Sequence, residues 1–161
     1  MAVERDTVTF VCTGNTCRSP MAEALLRATL AKKGQGLEKL KVVSFGLAAE
    51  AGLPASANSV KAMRRIGLDV GAHRSRLLTQ ADVDRSLVIF GMTESHLAAL
   101  HARFDALPEF VLLLRDVLPD DVTRDIPDPF GGAYRDYEEC RDSMVEAVPA
   151  MVEFLRQNLP R

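Results

Sequence analysis

The segment Thr7–Cys12 (TVTFVC) constrains the fold of this chain more than any other. It is too short for a helix, is rich in β-branched and apolar residues, and passes at once into a glycine-containing loop. Such a segment suits a strand covered on both faces, as in a parallel sheet. The pattern then turns helical. Ser19 suits an N-cap, Pro20 suits the first helical position, and Met21, Ala24, Leu25 and Ala28 recur at i, i+3, i+4 and i+7. Gly34 and Gly36 are expected to end that helix.

The same alternation continues. Residues 39–45 (KLKVVSF) read as a second strand, and residues 56–66 as a helix with Val60, Met63 and Ile66 on one face, stopped by Gly67. Residues 87–90 give a third strand, 93–104 a helix and 110–114 a fourth strand, before a polar, proline-bearing loop over 119–132. Tyr134–Asn158 closes the chain as a long helix that Pro149 is expected to kink or interrupt. Strands separated by helices imply right-handed crossovers. The expected fold is therefore α/β: one domain over residues 1–161, a three-layer sandwich with a central four-stranded parallel sheet and helices on both faces. Ligands in such folds bind beyond the carboxyl ends of the strands, so the loops after the first and fourth strands become candidates. At 161 residues the chain is long enough to bury one continuous core.

Charge narrows the partners. Twenty basic residues against 22 acids leave a formal charge of -2, which supplies no field for nucleic acid or an anionic membrane. An anion must be caught by local geometry. The start of the chain lacks the basic and long apolar regions of a signal peptide, and no run approaches a membrane span. Cys12, Cys17 and Cys140 are odd in number and form no C-x-x-C pair, while His73, His96 and His101 lie apart from them. The expectation is a reducing cytoplasm, no metal and no cofactor.

The residues Cys12-Thr13-Gly14-Asn15-Thr16-Cys17-Arg18-Ser19 place a cysteine at a strand end, an arginine six positions on, and a serine at a helix start. Backbone N–H groups of a tight loop converge on anions, and the helix N-terminus adds its positive end. Arg18 can grip two oxygens in a bidentate fork. The thiolate is the nucleophilic form of cysteine, and such a cradle favours it. Ser19 is placed to hydrogen-bond the sulfur and ease its departure, and Asn15 to hold an unusual loop backbone. A cysteine alone at a strand end is most often a small buried residue. The C-x5-R-[ST] spacing between strand and helix points instead to chemistry.

The segment FVCTGNTCRSPMAEALL resembles the phosphate-binding signature of low-molecular-weight protein tyrosine phosphatases, and Asp128-Pro129-Phe130-Gly131-Gly132 resembles their late Asp-Pro loop. The likeness runs over essentially the whole chain. It implies a phosphatase acting on phosphorylated protein side chains through a phospho-cysteine intermediate, with Cys12 as nucleophile, Arg18 on the phosphate and Asp128 as the acid that protonates the leaving group. Thr13, Gly14, Asn15, Thr16, Cys17, Ser19 and Phe130 would bind phosphate or substrate. Ser44 and His73 resemble residues that buttress the loop, although ordinary packing roles stay open for both. Cys17 is either a redox partner that shields Cys12 in a reversible disulfide or a small loop residue. Cys140 reads as packing, and Asp120, Asp121 and Asp125 as surface charge. One departure is Leu87, where the family often carries an acid entering the third strand.

Two positions bear on the substrate. Thr16 stands where tyrosine-specific members usually carry a larger apolar residue, and Phe130-Gly131-Gly132 lacks the adjacent tyrosines that many of them use to sandwich a phenyl ring. Both features resemble the bacterial protein-arginine phosphatase branch. A polar wall suits a planar guanidinium better than an apolar ring. The first expectation is hydrolysis of phosphoarginine on proteins, with phosphotyrosine as the alternative. Arsenate reduction lacks the two further downstream cysteines that a thiol relay needs, and a non-catalytic phosphate-binding module would not need cysteine, arginine and acid together. The expected partners are phosphorylated proteins, for a monomer that binds neither nucleic acid nor membrane.

Overall fold

The computed structural model describes residues 3–119 and 122–159. Four parallel strands, β1 (Thr7–Cys12), β2 (Lys41–Gly46), β3 (Ser86–Gly91) and β4 (Phe110–Leu113), form one sheet in the order β2-β1-β3-β4. Every residue of β1 is buried, as its composition requires. Its side chains alternate between two cores. Val8, Phe10 and Cys12 face helices α1 (Arg18–Leu30), α2 (Ala57–Arg64) and α5 (Tyr134–Asn158), whereas Val11 joins Phe45, Ile89, Val83 and Leu100 beneath α3 (Gln80–Arg85) and α4 (Glu94–Arg103). The expected α/β sandwich with helices on both faces is the fold observed. Among the described residues no helix is long and apolar enough to cross a membrane.

An aromatic row fixes the sheet to its longest helix. Phe10 stacks on Phe90 at 5.5 Å between ring centroids, and Phe154 of α5 meets Phe90 and Phe110 edge-on at 6.1 and 5.1 Å. Neighbouring strands and the closing helix thus share one packing unit, which holds the end of β1 still.

Four local expectations change. The first helix begins at Arg18, not at Pro20, so Ser19 lies in its first turn and is not its cap. Pro20 is tolerated there because first-turn N–H groups have no helical partner to lose. The helix ends at Leu30, ahead of Gly34 and Gly36. Pro149 leaves α5 uninterrupted: it is exposed, and so is Val145, four residues back, whose carbonyl loses its helical donor where water can replace it. Helix α3 is an addition, six residues announced by a Thr79/Asp82 capping box that is legible as T-x-x-D. Asp120 and Asp121 lie outside the described residues.

Phe10 has no exposed surface, so Phe10→Ala should cost about 3–5 kcal/mol. Urea denaturation is expected to show a lower midpoint with the slope nearly unchanged.

Candidate active site

Cys12 ends β1, and the chain turns over Thr13–Cys17 into α1. Asn15 carries that turn with φ of 57°, in the left-handed region that asparagine tolerates better than most residues. Its side chain is fully buried and fully used. Nδ2 donates to Ser19 Oγ at 2.8 Å and to Ser44 Oγ at 3.0 Å, while Oδ1 accepts the Arg76 N–H at 3.0 Å. The His73 ring reaches the Asn15 carbonyl at 2.7 Å through Nε2, which must donate because a carbonyl only accepts. Ser44 and His73 therefore both hydrogen-bond Asn15.

The sulfur of Cys12 receives two hydrogen bonds. The Asn15 backbone N–H lies 3.3 Å from Sγ and the Ser19 hydroxyl 3.0 Å from it. Ser19 Oγ accepts from Asn15, which leaves its own proton free to point at the sulfur.

The loop is tied to the sheet from either side. Leu47 and Ala48, just beyond β2, donate backbone N–H groups to the carbonyls of Cys12 and Thr13 at 2.9 and 3.0 Å. Gly46 makes this approach possible, since a β-carbon there would stand 2.7 Å from the Thr13 carbonyl oxygen and 2.6 Å from Ala49 Cβ. Across the loop, the Ser56 N–H donates to Thr16 O at 2.9 Å and Ser59 Oγ to Cys17 O at 3.3 Å.

Arg18 is buried and joins the loop to the segment before α5. Its Nη1 donates to Ile126 O at 2.9 Å, its Nη2 lies 3.6 Å from Asp128 Oδ2, and its Nε is buried with no hydrogen-bond partner among the described residues. The Ile126 N–H in turn reaches Met92 O at the end of β3, at 2.8 Å. Asp128 folds its own turn by accepting the Phe130 N–H at 3.0 Å, and half of its side chain stays open to solvent. Cys12, Thr13, Gly14, Thr16, Cys17, Arg18, Asp128 and Phe130 together line a pocket of about 210 Å³. Phe130 is 74% exposed at its rim. Asp125 does not line this pocket; it lines a neighbouring cavity with Arg115 and Cys140, which Asp128 also borders.

All three cysteines are free and buried. Cys17 Sγ contacts Ser56 Oγ at 3.5 Å and Tyr137 OH at 3.7 Å. Burial, with hydrogen bonding to Cys17 next, raises the Tyr137 hydroxyl to about 12. Burial also pushes the Cys140 thiol up to about 12, as befits a packed and unreactive side chain.

Sequence reasoning missed Gly46, Arg76 and His96. His96 is 4% exposed; its Nδ1 lies 3.1 Å from the Met92 N–H and 3.3 Å from the Thr93 N–H, and its Nε2 lies 3.1 Å from Thr13 Oγ1. Burial first, and then the Arg18 charge, lower its pKa to about 4, with Asp128 and Asp125 opposing. The ring is neutral near pH 7. The sequence signal was a polar residue three positions after Thr93, the N-cap of α4.

The chain has relatives among known proteins. A protein-arginine-phosphatase of Geobacillus stearothermophilus is 33% identical over 149 residues, covering 92% of this chain and 95% of the relative. A probable low molecular weight protein-tyrosine-phosphatase, EpsP, of Ralstonia nicotianae is 33% identical over 150 residues, covering 93% and 96%. The solved structure of the YwlE arginine phosphatase from Geobacillus stearothermophilus superposes with a TM-score of 0.82 at 32% identity, covering 94% of this chain and 93% of that one. The profile of the low molecular weight phosphotyrosine protein phosphatases matches residues 7–161, and the chain belongs to that family.

Proposed function

We propose that this chain is a protein-arginine phosphatase that works through a phospho-cysteine intermediate. The observation that carries the reading is the identity of the lining residues: Thr16 stands beside Thr13 and Asp128, and Phe130 is the one aromatic residue among the described residues that line the pocket. A phosphoguanidinium is planar and rich in N–H donors, which hydroxyl and carboxylate oxygens satisfy. A phenyl ring gains little from them.

The chemistry follows from the contacts. The phosphoryl group sits over the loop, with the Nε and Nη2 edge of Arg18 as its fork; Nε is buried and has no partner among the described residues. Nη1 stays on Ile126 O and keeps the Asp128 segment in place. Cys12 Sγ attacks phosphorus as the bond to the leaving nitrogen breaks, and Asp128 supplies the proton that nitrogen takes. Guanidine is a basic leaving group, so this proton matters more than it would for a phenolate. Water then attacks the phospho-cysteine with Asp128 as base, and sulfur leaves as a thiolate stabilised by the Ser19 hydroxyl and the Asn15 N–H. The same reading has the chain working as one domain and as a monomer, in a reducing cytoplasm, on phosphorylated proteins. Phosphotyrosine is the second reading, favoured by the exposed face of Phe130 and by relatives named as tyrosine phosphatases.

Matched phosphoarginine and phosphotyrosine peptides decide between the two. Wild type is expected to show the higher kcat/KM on phosphoarginine, and Cys12→Ser to release no phosphate above background. Preference for phosphotyrosine would sink the substrate assignment while leaving the three catalytic roles in place.

Asp128→Asn should lower kcat roughly 10²- to 10⁴-fold on phosphoarginine, and less on an aryl phosphate with an acidic leaving group. Equal losses on both would argue that Asp128 positions substrate and does not deliver a proton.

Thr16→Ile should move the kcat/KM ratio about tenfold or more toward phosphotyrosine. An unchanged ratio would show that the specificity lies elsewhere.

A further inference from the structure

The contact between Thr13 and His96 is not used by the chemistry above. Thr13 follows the nucleophile directly, is exposed, and lines the pocket with Thr16, Arg18 and Asp128. His96 is buried at the start of α4, and its Nε2 lies 3.1 Å from Thr13 Oγ1.

The far side of the ring fixes the direction of that bond. Amide N–H groups only donate, so Nδ1, close to the N–H groups of both Met92 and Thr93, must accept. A neutral imidazole that accepts at Nδ1 carries its proton on Nε2. His96 therefore donates to Thr13, occupying one lone pair of the hydroxyl and turning the hydroxyl proton away from the ring. In the same manner Asn15 leaves the Ser19 proton free to point at the sulfur.

We infer that His96 is a positioning residue for the phosphoryl group: it orients the Thr13 hydroxyl as a donor into the pocket, where a phosphoryl oxygen, which only accepts, is the natural partner. Capping of α4 does not account for the contact, because the cap uses only Nδ1, and an asparagine would serve it equally well. A β-carbon on Gly91 would stand 3.0 Å from His96 Cβ, so the bare glycine lets the start of α4 lie close against the end of β3. The assignment rests on the phosphatase reading and is independent of the choice between phosphoarginine and phosphotyrosine.

The test uses para-nitrophenyl phosphate as substrate and inorganic phosphate as inhibitor. Thr13→Val removes the hydroxyl at nearly constant shape. His96→Asn puts an amide oxygen near the place of Nδ1, keeping the cap but falling short of Thr13. Each is expected to lower kcat/KM about tenfold and to raise the phosphate inhibition constant, and the double variant to be no worse than the poorer single one. Thr13→Ser, which restores the hydroxyl, should recover most of the activity. Wild-type values for Thr13→Val, or losses that multiply in the double variant, would overturn the assignment. Thr13→Val leaves the cap of α4 untouched, so wild-type values for it would overturn the assignment even if His96→Asn fails to fold. An inactive wild type would overturn the phosphatase reading itself.

Discussion

The left-handed backbone of Asn15 is the conformation on which the rest of the site depends. A residue with a β-carbon enters that region at a cost of roughly 1–2 kcal/mol, and it stays there only when its surroundings fix it. Three bonds from its amide and one to its carbonyl do so. Each is worth only about 1 kcal/mol net, but each is buried, and a buried partner left unpaired costs about 1–3 kcal/mol. The network therefore resists partial change. Once Asn15 is set, its N–H points at Cys12 Sγ, Ser19 is oriented, and the loop closes around a space of anion size.

Arg18 extends that rigidity to the acid. Its Nη1 is committed to Ile126 O, and Ile126 is committed through its own N–H to the end of β3, so the acid loop is tied to both β1 and β3. Asp128 itself is held loosely: 3.6 Å from Nη2 exceeds a good hydrogen bond, and half of its side chain is exposed. That suits a group that must carry a proton in one step and lose it in the next. A carboxylate locked onto arginine by short paired bonds would be held in its charged form.

Much of this was legible in the chain. A short β-branched and apolar strand, a turn and a helix pattern fixed the place of Cys12 and Arg18, and strand-helix alternation implied the parallel sheet with helices on both faces. The register of the helix start was not legible. Ser19 reads as a cap by residue type, but the Asn15 amide and the Cys12 sulfur claim its hydroxyl from inside the first turn. That Pro149 does not interrupt α5 was not legible either, because the helical cost of a proline depends on whether water can reach the freed carbonyl, which is a tertiary fact. His96 and Arg76 were missed for a common reason. Both reach the loop from segments more than 50 residues away, and neither carries a local pattern that names its target.

The placement of groups also separates reaction from recognition. Everything that touches sulfur is buried and paired, so the nucleophile and its stabilising donors form a unit in which most substitutions are costly. Thr16 and Phe130 hold the opposite position, on the open side of the same pocket, away from the bonds that fix Asn15 and the sulfur. A scaffold of this kind can exchange one phosphorylated side chain for another at the rim while the phosphoryl chemistry stays the same. The polarity of Thr16 is therefore informative about substrate. Its hydroxyl is not needed to hold the loop, because the backbone bond from Ser56 to Thr16 already does that.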